Sequence, residues 1–331
     1  MNKYLKVGVI AAVAAAFTWS LNFVAPFFIG DYSLGDLAAT RFVFSGMIGA
    51  IVLFLHRDLC RGLTKGDWIA TAGLGFIGYV GYFITVMVAA VYAGPIIPPA
   101  FLGLVPIVLA IAGNAYSSSI SWTALRLPFT LAVIGLLLVN ASSLIQFNGE
   151  WNASHVIGTC SAIGAVALWT WFGIANQRAL SKRPSMNAWV WTAMMMIGGS
   201  IETLLFLPIG HGLGLFNAQN LGFGSVAIAH LYLPAFMLAI IASIGGAWAW
   251  TVASQRLPMA LAGQLLTTEM VFATCFGLLV HLRWPEPFEV LGIALLLYGV
   301  VKAVGAFHST AKSSSHDDEK ILGCSSTRAC G

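Results

Sequence analysis

Ten apolar stretches, each long enough to cross a bilayer, follow one another along the 331-residue chain. A membrane-spanning helix needs roughly 20 consecutive, mainly apolar residues, and short polar joints separate these stretches. A membrane β-barrel would instead show shorter segments of alternating polarity. The pattern therefore predicts an all-α, polytopic membrane protein with about ten transmembrane helices. The predicted spans are 6–29, 36–55, 68–91, 95–114, 122–142, 155–177, 186–208, 228–255, 259–280 and 288–306.

The composition excludes a water-soluble protein. Hydrophobic residues make up 59% of the chain and charged residues only 8%, whereas a soluble domain carries about 25% charged residues. Lys3 and Lys6 precede an alanine-rich run, as in a signal peptide, but the apolar segment continues to Phe28 and is too long for a signal core. We predict that it is retained as the first span.

The basic residues predict the orientation. If the N-terminus is cytoplasmic, all 16 Lys and Arg residues except Arg41 and Arg283 fall on the inner side. Because cytoplasmic loops are enriched in Lys and Arg, both termini are predicted to be cytoplasmic, in a bacterial inner (plasma) membrane. The net charge of +4 is dispersed over successive inner loops, so it is an orientation signal and not a nucleic-acid-binding patch.

The two halves of the chain resemble each other in order. A shift of about 150 positions places "AAAFTWS" (14–20) over "GAVALWT" (164–170), so that Trp19 meets Trp169. A shift near 163 places Ala90-x4-Pro95 over Ala253-x4-Pro258. We predict five-helix repeats over 1–145 and 150–306, followed by a disordered cytoplasmic tail over 307–331. Five is odd, so the second repeat must be inverted, with a central cavity at the repeat interface.

The chain resembles the drug/metabolite transporter superfamily, in the branch with tandem EamA domains. The resemblance rests on "WSLNFVAPFF", "LAATRFVFSG", "FLGLVPIVLAIAGN" and, above all, residues 266–300, which begin "LTTEMVFATCFGLLVHLRWPEPFEV". It implies two inverted five-helix halves around a central cavity, and movement of small metabolites such as amino acids without ATP. Members of the family often have proline at the position of Met270. They also often have a glutamate in the loop after the fourth span, where this chain has "NAYSSSISW" and no glutamate.

Glu269 is the most informative polar residue. It lies near the middle of "LLTTEMVFATC" (265–275), which reads as unbroken apolar helix, where a charged side chain costs about 2.5–3.5 kcal/mol. Two interpretations remain open: a protonatable or substrate-contacting group, or a carboxyl group paired structurally with another helix. At the 163 shift, Glu269 overlies Pro106, which should break the fourth span and free a backbone carbonyl. We predict that Glu269 lines the cavity opposite that break and is the candidate for proton coupling.

Arg41 also has two interpretations. It lies a few residues inside the outer end of the second span, from which arginine can snorkel to the interface. Alternatively, it contacts an anion or pairs with Glu269 in one state of a transport cycle. Glu202, nearer the outer face, is interpreted as a structural or interfacial acid. The remaining predicted cavity residues are Trp19, Asn22, Tyr79, Tyr82, Trp169, Trp248 and Gln264.

Aromatic residues in such a cavity would suit flat or partly apolar solutes, although core packing is the alternative role for each of them. The sequence predicts a secondary transporter, most simply an exporter of small organic metabolites such as amino acids, working as a monomer or homodimer. An uncoupled facilitator, or a non-transporting receptor or scaffold, remains an alternative. We expect no enzymatic activity, because the sequence shows no clustered His, Asp or Glu within the predicted spans and no nucleophile with a base. We expect no ATP-driven transport, because there is no phosphate-binding loop, and no cofactor or metal, because no grouping has metal-ligand spacing.

Overall fold

The computed structural model describes residues 3–94, 97–141, 152–222 and 224–326, and side chains as far as residue 309. Ten helices long and apolar enough to cross a membrane lie within this part of the chain. The ten predicted spans are confirmed, and each observed end lies within four residues of the predicted end. Predicted ends at 95 and 142, and the predicted boundary between the halves at 145–150, fall outside the described residues. The spans are α1 Lys3–Phe28, α2 Leu34–Leu55, α3 Lys65–Ala93, α4 Ile97–Ser117, α5 Trp122–Val139, α6 Ala153–Ser181, α7 Ala188–Gly212, α8 Ser225–Ser254, α9 Met259–Val280 and α10 Pro287–Ser309.

The helix of α10 continues in the backbone to Ser326. The expected disorder of the tail from residue 307 stays a prediction, as do the cytoplasmic position of the two termini and the inversion of the second half.

The two halves interlock. Helix α1 packs against α8 and α9, and its counterpart α6 packs against α3 and α4. Helices α2 and α7 form one close pair, and α5 and α10 another. The same main pairings result when each helix is replaced by its counterpart in the other half. Two related halves would produce such a symmetric set of contacts.

Irregular turns recur at equivalent places in the halves. Helix α3 contains a π-helical turn at Phe76–Val80, and α8 contains two, at Ile228–Tyr232 and Ala239–Gly246. The turn of α3 and the second turn of α8 begin at 76 and 239, a difference of 163 that equals the shift found in the sequence. Such π turns occur mostly as local bulges, often at functional sites.

The fourth and ninth spans are both divided near the middle. Helix α4 is interrupted between Leu102 and Val105, and Pro106 lies in the first turn of the following helix, where proline is tolerated because its missing N–H would be unpaired anyway. The prediction of a break at Pro106 is thus confirmed.

The expectation of an unbroken ninth helix is wrong. Helix α9 divides at Thr267, between Met259–Leu266 and Thr268–Val280. The Thr267 hydroxyl donates to the Gln264 carbonyl at 2.7 Å and the Thr268 hydroxyl to the Leu265 carbonyl at 2.8 Å. These local hydrogen bonds lie at the break and satisfy carbonyl groups there.

Candidate functional site

A cavity of about 450 Å³ lies between α1, α2, α3, α4, α6 and α9. It extends from the divided middle of α4 and α9 to the end where α1 finishes and α2 begins, which is the predicted outer side. Phe27 and Leu34 lie at this mouth. Eight of the ten residues predicted to line a central cavity do line this one. They are Trp19, Asn22, Arg41, Tyr79, Tyr82, Pro106, Trp169 and Glu269.

Glu269 lies in the first turn of the half-helix Thr268–Val280 and is partly accessible from the cavity. Pro106 occupies the equivalent first turn of the half-helix Val105–Ser117 on the facing wall. Two half-helix N-termini with their partly positive N–H groups thus reach the cavity near mid-membrane. Tyr82 is close enough to Glu269 to interact with it electrostatically.

Arg41 is buried, with 3% of its surface exposed. Its Nε donates a hydrogen bond to the Ser243 hydroxyl at 2.7 Å, and its Nη1 donates to the Asn22 side-chain oxygen. The guanidinium carbon lies 5.5 and 5.4 Å from the ring centroids of Phe42 and Phe83, within cation–π range. The snorkelling interpretation is therefore wrong, because neighbouring helices fix Arg41 with hydrogen bonds at the cavity wall.

Neither charged group of the cavity has an ionic partner in the described part of the chain. Ion pairs there join Arg61 to Asp58, Arg183 to Asp67 and Arg283 to Glu289. Arg41 and Glu269 line the same cavity without bonding to each other, and Tyr82 lies near both. The site therefore presents one cationic and one acidic group to whatever enters it.

Trp19 and Trp169 lie at the deep end of the cavity, toward the predicted inner side, and Trp250 packs against both. The rings of Trp19 and Trp169 meet edge to face, with centroids 5.2 Å apart. Trp250 lies 5.7 Å from the first and 5.4 Å from the second, and it is fully buried. The Trp19 indole N–H donates to the Ala242 carbonyl at 3.0 Å, which ties α1 to the second π-helical turn of α8.

Comparisons with known proteins find a matching family. Residues 156–304 match the EamA-like transporter family. This chain carries an EamA-like transporter domain. The domain covers the second half, from α6 to α10, and includes Glu269, Trp169 and Ser243.

Two curated relatives extend over nearly the whole transporter. "Inner membrane protein YtfF" of Escherichia coli (strain K12) is 27% identical over 306 residues, which is 90% of this chain and 95% of that protein. "Uncharacterized transporter YyaM" of Bacillus subtilis (strain 168) is 20% identical over 303 residues, 92% of this chain and 95% of that protein. The predicted inner-membrane location agrees with the name of the first relative.

A solved crystal structure has the same fold. It superposes with a TM-score of 0.72 at 17% identity, and the match covers 90% of this chain and 98% of that chain. The first half of the transporter is thus part of the same fold, although the family match itself begins at residue 156.

Two predicted cavity residues lie elsewhere in the transporter. Trp248 stacks on Trp189, with ring centroids 4.6 Å apart and planes at 17°, near the inner ends of α6 and α8. Gln264 is fully buried, and its amide donates weakly to the Pro128 carbonyl at 3.4 Å. The prediction for Trp248 rested on its aromatic character, but α8 contributes no side chain to the central cavity, and Trp248 lines a separate cavity instead.

Sequence reasoning missed two residues that position Arg41. Ser243 is fully buried and accepts the Nε hydrogen bond, while Phe83 faces the guanidinium. The signal for Ser243 was present, because it is the one hydroxyl in the apolar run "AIIASIGG", and hydroxyl side chains inside membrane helices commonly bond across to a neighbouring helix.

Proposed function

We propose that this EamA-like transporter exports small organic metabolites such as amino acids across the inner membrane by alternating access, in exchange for protons. The proposal rests on one observation. Arg41 and Glu269 line a single mid-membrane cavity, and neither has an ionic partner among the described residues.

A zwitterion complements these two groups. Arginine binds a carboxylate through two parallel hydrogen bonds, and a carboxylate at Glu269 would accept from an ammonium group. Tyr82, Phe83 and Trp169 supply aromatic surface beside them. A volume of about 450 Å³ falls within the range of about 300–1,000 Å³ typical of small-molecule sites, and it suits a single amino acid better than a large drug.

Alternating access would depend on the second half being an inverted copy of the first. If the second half is inverted, each access route to the central site has a counterpart on the other side of the membrane. The cavity reaches the predicted outer end of α1, and Trp19 and Trp169, with Trp250 packed against both, lie at its other end. In the opposite state, these rings would separate and the outer mouth would close.

Proton exchange follows from what Glu269 can bind. Burial in an apolar setting disfavours an unpaired carboxylate, so Glu269 is stable either protonated or beside a substrate cation. On the outer side, substrate would leave and a proton would bind. On the inner side, the proton would leave and substrate would bind. Because the two ligands compete for one carboxylate, one would move out as the other moved in.

Two alternatives differ in what they predict. An uncoupled facilitator would move the same solutes without proton movement, and a receptor would bind them without flux. The name of the Bacillus subtilis relative includes "transporter", which supports flux without identifying a solute.

The test is exchange of radiolabelled amino acids in proteoliposomes containing excess unlabelled solute. The proposal expects saturable exchange that is lost in Arg41→Gln and partly kept in Arg41→Lys, with Arg126→Gln as an exposed control. Exchange of neutral solutes that is unaffected by Arg41→Gln, with no exchange of any amino acid, would overturn the proposed substrate class.

A further inference from the structure

A second, larger cavity lies on the predicted inner side, away from the central one. It has a volume of about 960 Å³ and lies between the ends of α4, α6 and α8, the start of α7, and Tyr4 of α1. Its lining contains two arginines, Arg178 and Arg256, and no acidic residue. The cavity is therefore positively charged, independently of Arg41 in the central site.

Neither arginine is neutralised by an ion pair within the described chain. The guanidinium carbon of Arg178 lies 5.9 Å from the Tyr116 ring centroid, and that of Arg256 lies 5.5 Å from the Tyr4 ring centroid. Arg256 also donates to the Val252 carbonyl at 3.0 Å. The aromatic rings hold the two charges in place without neutralising them, so donors on both guanidinium groups can still bind an anion.

The rest of the lining suits a flat organic body. Trp189 and Trp248 lie stacked in this cavity. Ser254 also lines it, with 4% of its surface exposed and a hydroxyl that has no hydrogen-bond partner. An unpartnered buried hydroxyl costs free energy, and an incoming polar group would satisfy it.

We propose that this inner cavity is a second binding site, which takes organic carboxylates with a flat apolar body: the carboxylate binds Arg178 and Arg256, and the body packs on Trp189 and Trp248. That the bound molecule is then exported rests on the proposed function, but binding at this site does not. Substrate arriving from the cytoplasm would meet this site first, because Trp169 of the central cavity lies farther along α6 from the predicted inner side than Ile174 and Arg178 do.

The test is tryptophan fluorescence of the purified protein in phosphatidylcholine nanodiscs, titrated with phenylacetate. Phenylacetamide is a neutral compound of similar size and shape, and phenethylamine is a cationic one. We expect phenylacetate to bind about tenfold more tightly than phenylacetamide, since charge-assisted hydrogen bonds to guanidinium groups are roughly twice as strong as those to a neutral acceptor. Equal affinities for the three compounds would overturn the proposal.

Variants locate the binding. The double variant Arg178→Gln/Arg256→Gln should lose the preference for the carboxylate, the corresponding double lysine variant should recover part of it, and Arg126→Gln should bind like the wild type. The central-site variant Arg41→Gln should also keep phenylacetate binding. Loss in Arg41→Gln, with no change in the Arg178/Arg256 double variant, would assign the carboxylate to the central cavity and overturn the inner site.

The head group of an anionic lipid is the other source of a negative charge that Arg178 and Arg256 could bind. Nanodiscs containing phosphatidylglycerol separate the two sources. If no phenylacetate binds in phosphatidylcholine, while phosphatidylglycerol changes the fluorescence of the wild type but not of the double glutamine variant, the site binds lipid head groups and the proposal fails. If phenylacetate binds but no amino acid exchange occurs in proteoliposomes, the inner site stands and the proposed function fails.

Discussion

Arg41 is positioned by residues from three different helices. Ser243 of α8 and Asn22 of α1 accept its hydrogen bonds, and Phe83 of α3 faces its guanidinium plane. A buried arginine without a carboxylate partner is costly in a membrane. These contacts therefore serve to keep a cation at the cavity wall, ready for an anionic group of a substrate.

Removing the Ser243 hydroxyl should weaken substrate binding more than it weakens the fold. In Ser243→Ala, the Arg41 Nε loses its acceptor, and a lost hydrogen bond to a charged group corresponds to about 1.5–3 kcal/mol, so we expect the apparent KM for exchange to rise about tenfold or more. Ser45→Ala is the matched control, because Ser45 is also fully buried but its hydroxyl bonds only to the Arg41 backbone carbonyl. An equal rise in KM in both variants would contradict a specific role for Ser243.

At the scale of the helices, α4 and α9 cross at glycine in the middle of the protein. A Cβ added at Gly263 would lie 2.7 Å from the Ala110 nitrogen and 3.0 Å from the Pro106 carbonyl oxygen. The backbones can approach this closely because Gly263 lacks a side chain. This contact holds the two divided helices, and thus Pro106 and Glu269, at a fixed separation.

Gly263→Ala should destabilise the protein by about 1–3 kcal/mol, the usual cost of overpacking against a rigid neighbour. Gly277→Ala, on the same span but with open space around its added methyl group, should be nearly neutral. The midpoint of thermal unfolding in detergent measures both. Equal midpoints for the two variants would show that the crossing is not closely packed.

Two hydrogen bonds join helices at the predicted inner side. The Gln177 amide donates to the Leu257 carbonyl at 2.5 Å, and the Tyr4 hydroxyl donates to the Gln255 carbonyl at 2.7 Å. Both bonds attach the α8–α9 loop to other helices. Loss of either bond should favour opening toward the inner side.

Gln177→Ala should therefore increase access to the cavity from inside. A net contribution of about 0.5–1.5 kcal/mol per hydrogen bond corresponds to roughly a two- to tenfold change in the population of open molecules. The readout is labelling by a membrane-impermeant maleimide of a cysteine placed at buried Thr170, with the native cysteines replaced. Gln219→Ala, in the exposed α7–α8 loop, is the control, and unchanged labelling in Gln177→Ala would contradict the inner closure.

For the molecule as a whole, hydropathy was enough to place every span, because the bilayer imposes a requirement that is averaged over roughly 20 residues. Eight of the ten residues that the sequence grouped around Glu269 meet in one cavity, because charged and polar side chains deep in a span usually face a bundle interior or a cavity. The division of α9 at Thr267 and the partners of Arg41 were missed for a different reason. The first depends on local backbone geometry, and the second depends on a hydroxyl group and a ring that other helices bring to Arg41. Hydrophobic periodicity reports neither.

The proposed transport mechanism depends on Glu269 exchanging a proton for substrate. The most direct measurement is proton movement across proteoliposome membranes, reported by an entrapped pH-sensitive dye, when an amino acid gradient is imposed. Glu269→Gln is compared with Glu202→Gln, which alters a half-buried acid of α7 outside the cavity. We predict that Glu269→Gln abolishes substrate-linked proton movement while Glu202→Gln and the wild type retain it. Proton movement that persists in Glu269→Gln at the wild-type ratio to substrate flux would contradict the account.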